Sequence, residues 1–239
     1  MELNKHRRVP VMGIEIDSIS VPRAVELSQE YLDNDHLNFV LLAGAKTALL
    51  SMDSKEIISF STEADLILPG DHNIEKAAGQ ELAGDYLLQY LDGLLRTMAR
   101  GGRQICVIGE SEDMCEYIRS RLLEEYEDLS IRMVAFKGSQ EQDMEAVVNK
   151  INGFFPDLIL PLIPMEDQIA LYMGHKSMIS AKLFISSRTL TENVLKDGSE
   201  AKGQVPVVSW LKSKLKIGQE GIDSEFWQQF EGTNRQNDE

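Results

Sequence analysis

The 239-residue chain carries 39 acidic against 24 basic residues, a formal net charge of -15, with 43% hydrophobic residues. This size and apolar content suit one large α/β domain or two tightly packed halves, while the acidic surplus repels phosphate backbones and argues against nucleic acid as a partner. The longest apolar runs, Phe39 to Ala45 and Leu158 to Ile163, fall far below the roughly 20 residues that span a bilayer, and the basic start Lys5-His6-Arg7-Arg8 has no apolar stretch behind it, so a cytoplasmic globular protein is expected.

In chain order, Val9 to Ile16 reads as a first strand closed by Asp17, and Ser20 offers an N-cap to a helix reaching about Asp33, with Ala24, Leu27 and Tyr31 on one face. Phe39 to Ala43 has no polar residue, which suits a strand covered on both faces of a mainly parallel sheet. A helical segment follows, then the apolar run Leu66 to Leu68 and the turn Pro69-Gly70-Asp71-His72, which opens another helix. Strand, helix, strand, helix is an α/β crossover, and its loops at the strand carboxyl ends are a natural ligand crevice.

Gly84-Asp85 begins a helix in which Leu87, Leu88, Leu91, Leu94, Leu95 and Met98 recur at helical spacing, with Gly101-Gly102 as the stop. Gln104 to Ile108 is the next strand, followed by a helix from the 109–113 turn to about Tyr126 and a strand over Ser130 to Phe136. Gln140 to Asn152 is helical, Leu158 to Ile163 a strand, Pro164 to Gln168 the opening of a further helix, and Lys182 to Ser186 the last strand. The fold class is therefore a doubly wound, mainly parallel Rossmann-like α/β sheet with helices on both faces. Residues 1–200 form this domain in two packed halves, about 1–100 and 101–200, and residues 201–239 a C-terminal appendage ending in an acidic, disordered tail.

Several common chemistries are missing. Gly44-Ala45-Lys46-Thr47 invites comparison with a phosphate-binding loop, but that spacing would require glycine at Val40 and Ala45. No Gly-x-Gly-x-x-Gly follows a strand, and Gly109 to Asp113 lacks the last glycine of a nucleophile elbow. The histidines at 6, 36, 72 and 175 have no metal spacing, and Cys106 and Cys115 are expected to sit reduced in the core, so neither metal nor cofactor is expected.

The order of Gly13-Ile14-Glu15-Ile16-Asp17, the apolar strand at 39–43, Met52-Asp53, Ala64-Asp65-Leu66-Ile67-Leu68-Pro69 and Gly84-Asp85 resembles the WecG/TagA/CpsF glycosyltransferases over residues 9 to 190. The resemblance implies transfer of a sugar, typically N-acetylmannosamine, from UDP to a polyprenyl-diphosphate-linked acceptor at the cytoplasmic membrane face, in cell-surface glycan synthesis. It also implies where the site residues stand. A Thr-x-Asn pair that contacts substrate falls on Leu42-Ala43-Gly44, which offers no polar side chain. A Pro-Asp-Gly turn, whose carboxylate is the proposed general base, falls on Pro69-Gly70-Asp71. The carboxylate is thereby moved about 3.8 Å along the backbone, more than the hydrogen-bond reach of a general base tolerates.

A Gly-Gly turn falls on Gly109-Glu110, a Pro-Lys-Gln-Glu segment on Pro164-Met165-Glu166-Asp167, and a Gly-rich strand end on Phe184 to Arg188, where Arg188 could bind an anion. Asp71 and His72 are read either as a new acid/base pair or as a helix cap beside a solvated histidine. Glu110, Glu112 and Asp113 repel a UDP pyrophosphate, although acids are ordinary in a first helical turn. Val205 to Ile217, with Trp210, Lys212, Lys214 and Lys216, could lie in a bilayer interface at the inner membrane face or pack on its own domain. Two functions stay open: a transferase with an altered site, or a catalytically silent relative that binds a nucleotide, a glycan precursor or a protein. An oligomer is compatible with either.

Overall fold

The computed structural model describes residues 7–80, 85–136, 141–197 and 220–237. Its first departure from the sequence pattern lies at the N-terminus. Val9 to Ile16 is not one strand but a hairpin, β1 (Arg8–Val11) antiparallel to β2 (Ile14–Asp17), in a separate two-stranded sheet. The turn residues Met12 and Gly13 have φ of 50° and 86°, the positive values that a tight two-residue hairpin turn demands. Ser51 Oγ donates to the Met12 carbonyl at 2.7 Å and holds the turn in place. Buried Asp17 then ties the hairpin to the main sheet, accepting from the Ile67 N–H at 2.7 Å and from Arg8 Nε at 2.8 Å.

The remaining elements are α1 (Val21–Asp33), β3 (Asn38–Ala43), α2 (Ala45–Ser51), α3 (Lys55–Thr62), β4 (Leu66–Pro69), α4 (His72–Ala77) and α5 (Tyr86–Arg100). They continue as β5 (Gln104–Gly109), α6 (Glu112–Glu125), β6 (Ser130–Ala135), α7 (Glu141–Asn152), β7 (Leu158–Leu162), α8 (Met165–His175), β8 (Leu183–Ser186) and α9 (Arg188–Asp197), and end with α10 (Glu220–Asn237). Local chemistry explains the boundaries. Asp85 accepts from the Leu88 N–H and caps α5, Ser111 accepts from the Met114 N–H and caps α6, and Gly101-Gly102 closes α5. Ser20 stands at the N-cap of α1 but makes no side-chain cap bond.

Strands β3 to β8 form one parallel six-stranded sheet in the order β4-β3-β8-β7-β5-β6. The fold is a doubly wound, Rossmann-like α/β fold, because alternate residues of each strand feed separate apolar layers. Val40 and Leu42 pack with the leucine stripe of α5 and with α1 and α6. Phe39, Leu41 and Ala43 pack with α2, α3, α7 and α8. In this second layer Phe39 meets Phe60, Tyr172 and Phe184 at ring-centroid distances of 4.7, 4.5 and 5.8 Å. Cys106 and Cys115 are buried and free.

Within the C-terminal appendage, residues 220–237 form α10. Phe226 is fully buried in the second layer, stacked 5.8 Å from Phe230, and the helix is fastened to α4: Asn73 Nδ2 donates to Asp223 Oδ1 at 2.7 Å, and Trp227 Nε1 donates to Asn73 Oδ1 at 2.9 Å. Three buried or half-buried aromatic residues supply the apolar face that an acidic, polar composition conceals. Gly84, Gln140 and the interfacial candidate Val205 to Ile217 lie outside the described residues. Among the described residues no helix is long and apolar enough to cross a membrane.

Candidate functional site

Parallel strands deliver their carboxyl ends to one edge of the sheet, so the loops after β3, β4 and β8, which are neighbours in the strand order, converge there. Gly70 donates its N–H to the Ala43 carbonyl at 2.7 Å. A Cβ on Gly70 would lie 2.6 Å from the Leu42 carbonyl oxygen, so glycine lets the β4 loop pass against the end of β3. The Leu42 side chain faces the core and lends this edge only its backbone.

That passage delivers Asp71 to the start of α4, where it is only 6% exposed. Its Oδ1 accepts from the Ile74 N–H at 3.1 Å, capping its own helix. Oδ2 accepts from the Ala45 N–H at 2.6 Å, in the first turn of α2. Burial pushes its carboxyl up to about 6, while the N–H groups of Ala45, Ile74 and Asn73 pull it back and the nearby Asp223 adds to the rise. Both oxygens are engaged by backbone, and the carboxylate clamps α2 to α4. His72 does not join it: the side chain is 78% exposed and turns to Glu75, with Nδ1 3.8 Å from Oε2.

Gly44 sits against this clamp. A Cβ there would lie 2.7 Å from Asp71 Oδ2 and 2.2 Å from Thr189 Oγ1, so a carboxylate and a hydroxyl flank one bare Cα. Beside it, Lys46 Nζ and Arg188 Nε approach the same oxygen, Glu192 Oε1, at 2.7 and 2.8 Å, and Arg188 Nη1 lies 3.6 Å from Glu166 Oε1. A buried network supports this corner. Ser186 Oγ donates to Gln168 Oε1 at 2.6 Å, Gln168 Nε2 donates to the Ile163 carbonyl at 2.7 Å and to Thr191 Oγ1 at 3.0 Å, and Thr191 Oγ1 donates to the Ser187 carbonyl at 2.9 Å. Every polar atom of the Gln168 amide group is therefore bonded, which holds the loop after β8 in one conformation.

The candidates Gly109 and Glu110 stand elsewhere. β5 is two positions from β8 and four from β4 in the sheet, about 10 and 19 Å at the usual spacing. Gly109 has a packing explanation, because a Cβ there would lie 2.9 Å from Cys115 Sγ. The chain leaves β5 toward β6 and β7 toward β8, so these adjacent strands flank a topological switch point. Its mouth carries Glu110, Glu112 and Asp113 from one side and Glu166 and Asp167 from the other, and burial with the neighbouring Glu166 raises the Asp167 carboxyl. A separate cleft of about 260 Å³, lined by Arg96, Arg100, Glu125, Tyr126 and Asp128, lies at the opposite edge, where α5 ends and β6 begins.

The structure thus brings Gly44, Gly70, Asp71, Arg188 and Glu166 to one edge, with Leu42 beneath it, and leaves His72 outward and Gly109 with Glu110 apart. Thr189, Glu192 and Gln168 were not legible as site residues, and Lys46 enters the sequence reading only as part of a failed phosphate loop. Their convergence depends on β8 lying beside β3, which no local pattern announces. Among the described residues no group of three or more His, Cys, Asp or Glu could hold a metal ion. The model of the glycosyl transferase WecG/TagA/CpsF family matches residues 9–187, most of the chain. No curated protein matches.

Proposed function

Because the chain belongs to the glycosyl transferase WecG/TagA/CpsF family, we propose that it binds a UDP-sugar or related nucleotide at the carboxyl ends of β3, β4 and β8 without transferring the sugar by the usual base-assisted route. The observation that supports this reading is the double engagement of Asp71, whose two oxygens accept from Ala45 and Ile74. A general base needs a lone pair within roughly 3 Å of the hydroxyl it deprotonates, and turning Asp71 toward a ligand would strand buried N–H groups at about 1–3 kcal/mol each. The loop after β3 supplies no directional polar side chain before Lys46. Binding of a glycan precursor at the cytoplasmic membrane face follows from the family's substrates and belongs to the same proposal.

A thermal-shift series with UDP, UDP-N-acetylmannosamine and unrelated nucleotides tests binding, since a ligand at one hundred times its Kd stabilises by about 2.7 kcal/mol. A UDP-release assay with a polyprenyl-diphosphate-linked acceptor tests turnover. Uridine-specific stabilisation with no UDP release is the expected result.

One observation favours the alternative of a working transferase. The Asp71 carboxyl is pushed up to about 6, near the range in which a base operates at neutral pH. UDP release that disappears in Asp71→Asn, with uridine nucleotide binding retained, would establish that alternative.

A further inference from the structure

Lys46 is in the first turn of α2 and Arg188 opens α9, and the two cations meet across 142 residues of sequence on one oxygen of Glu192. Arg188 is 17% exposed at its side chain and is fixed by Glu192 and Glu166, whereas Glu192 is 29% and Lys46 43% exposed. Thr189 follows Arg188 in α9 and turns its hydroxyl toward Gly44, two residues before Lys46. The two cations of this corner are matched by Glu192 and Glu166, and Glu166 also borders the mouth between β5 and β7 with Glu112 and Asp113 of α6 and Asp167 of α8.

We propose that Glu192 is an internal stand-in for the diphosphate group of a ligand, and that Lys46, Arg188 and Thr189 are the seat that group occupies once Glu192 swings out. The proposal rests on the nucleotide-sugar reading and names the part of the ligand that this corner takes. Two cations on a single carboxylate oxygen are what a phosphate oxygen would meet, and a diphosphate brings more negative charge and more acceptor oxygens than the carboxylate it replaces. The Thr189 O–H can donate to one of those oxygens. An Arg presents several N–H donors in a fixed fork, so Arg188 can exchange Glu192 for a phosphate without leaving its position. Glu192 therefore competes with the ligand, keeping the cations neutralised until an anion of higher charge arrives.

Calorimetric titration of the full chain at low salt tests this with three probes that share the diphosphate group: inorganic diphosphate, UDP and farnesyl diphosphate. Glu192→Gln keeps the shape and removes the competing charge, and is expected to tighten binding about tenfold. Lys46→Ala and Arg188→Ala are expected to weaken it at least about tenfold, and Thr189→Val a few-fold. Tightening toward UDP alone assigns the seat to a nucleotide, and tightening toward farnesyl diphosphate alone assigns it to a lipid-linked diphosphate. UDP binding that Glu192→Gln leaves unchanged overturns the stand-in while the nucleotide reading stands. Binding of inorganic and farnesyl diphosphate without UDP, tightened by Glu192→Gln, keeps the seat and overturns the nucleotide reading. If neither wild type nor Glu192→Gln binds any probe, or if Lys46→Ala lowers the melting temperature without weakening binding, the cluster is only a staple between α2 and α9 and the proposal fails.

Discussion

The Asp71 carboxylate accepts a 2.6 Å hydrogen bond from the Ala45 N–H, so one side chain links the first turns of α2 and α4 as well as capping its own helix. Removing it leaves two backbone donors without their partner. A lost cap costs about 1 kcal/mol and a buried orphan N–H about 1–3 kcal/mol, so Asp71→Ala is expected to destabilise by about 2–4 kcal/mol in urea denaturation. Asp71→Asn keeps one acceptor oxygen and should lose about half as much. A stability change near zero for Asp71→Ala would show that the carboxylate does not clamp the two helices.

Burial raises the carboxyls of both Asp71 and Glu75 to about 6, from ordinary values near 4. The native state thus holds these protons more tightly than the unfolded chain does, and their contribution to stability is fully present below about pH 4 and lost as pH rises through about 6. For nearly buried Asp71 the loss is about 3 kcal/mol. Other carboxyls, such as Asp35 beside Lys182, are lowered and act in the opposite sense, so the measurement is a difference between proteins. Wild type minus Asp71→Asn, followed by urea denaturation from pH 4 to 7, should fall with pH. A flat difference would show that the Asp71 carboxyl is not raised.

The sheet was largely legible because a parallel strand covered on both faces is an unbroken apolar run, as in Phe39 to Ala43 and Leu158 to Ile163, and because Gly101 and Asp85 mark helix ends by backbone and capping chemistry. The capping role of Asp71 was visible in the same way, from its place before a helix. Strand order was not legible: β8 inserts between β3 and β7 through contacts more than 140 residues apart for β3, and only that insertion makes neighbours of Gly44 and Thr189, or Lys46 and Glu192. The hairpin has no plain sequence signature, because Met12 occupies a positive-φ position usually held by Asn, Asp or Gly. Polar residues outnumber apolar ones in α10, whose docking rests on tertiary partners such as Asn73.

The two strand-end glycines are expected to respond differently to a methyl group. Gly44→Ala meets the Thr189 hydroxyl and the Asp71 carboxylate, side-chain atoms that can turn away at the expense of the Ala45 bond. Gly70→Ala meets the Leu42 carbonyl oxygen at 2.6 Å and the Ala43 carbonyl carbon at 2.8 Å, backbone atoms held at the end of β3 by its pairing with β4. Overpacking of this kind costs about 1–3 kcal/mol, with Gly70→Ala at or above the upper end and Gly44→Ala at the lower. Urea denaturation orders them, and equal losses would show that the backbone at the β3 end yields as easily as the side chains.

Asn73 spends both ends of its amide on α10, donating to Asp223 and accepting from Trp227, while Lys76 lies 4.7 Å from the centre of the Trp227 ring. Asn73→Leu removes both partners at once and places an apolar group against a half-buried carboxylate and an indole N–H. The bonds are local to the α4–α10 contact, whereas the sheet packs through β3, β5 and their helices, so the expected effect is confined to α10. Amide exchange in Glu220–Asn237 should accelerate about tenfold or more, the equivalent of one hydrogen bond's net worth, with exchange in β3 and β5 unchanged. Trp227→Phe keeps the ring packing on Phe226 and Phe230 and loses one bond, so a smaller acceleration is expected. Acceleration spread evenly over α10 and the central strands would show that the helix is part of a single cooperative unit with the sheet, and not an element fastened to it through Asn73.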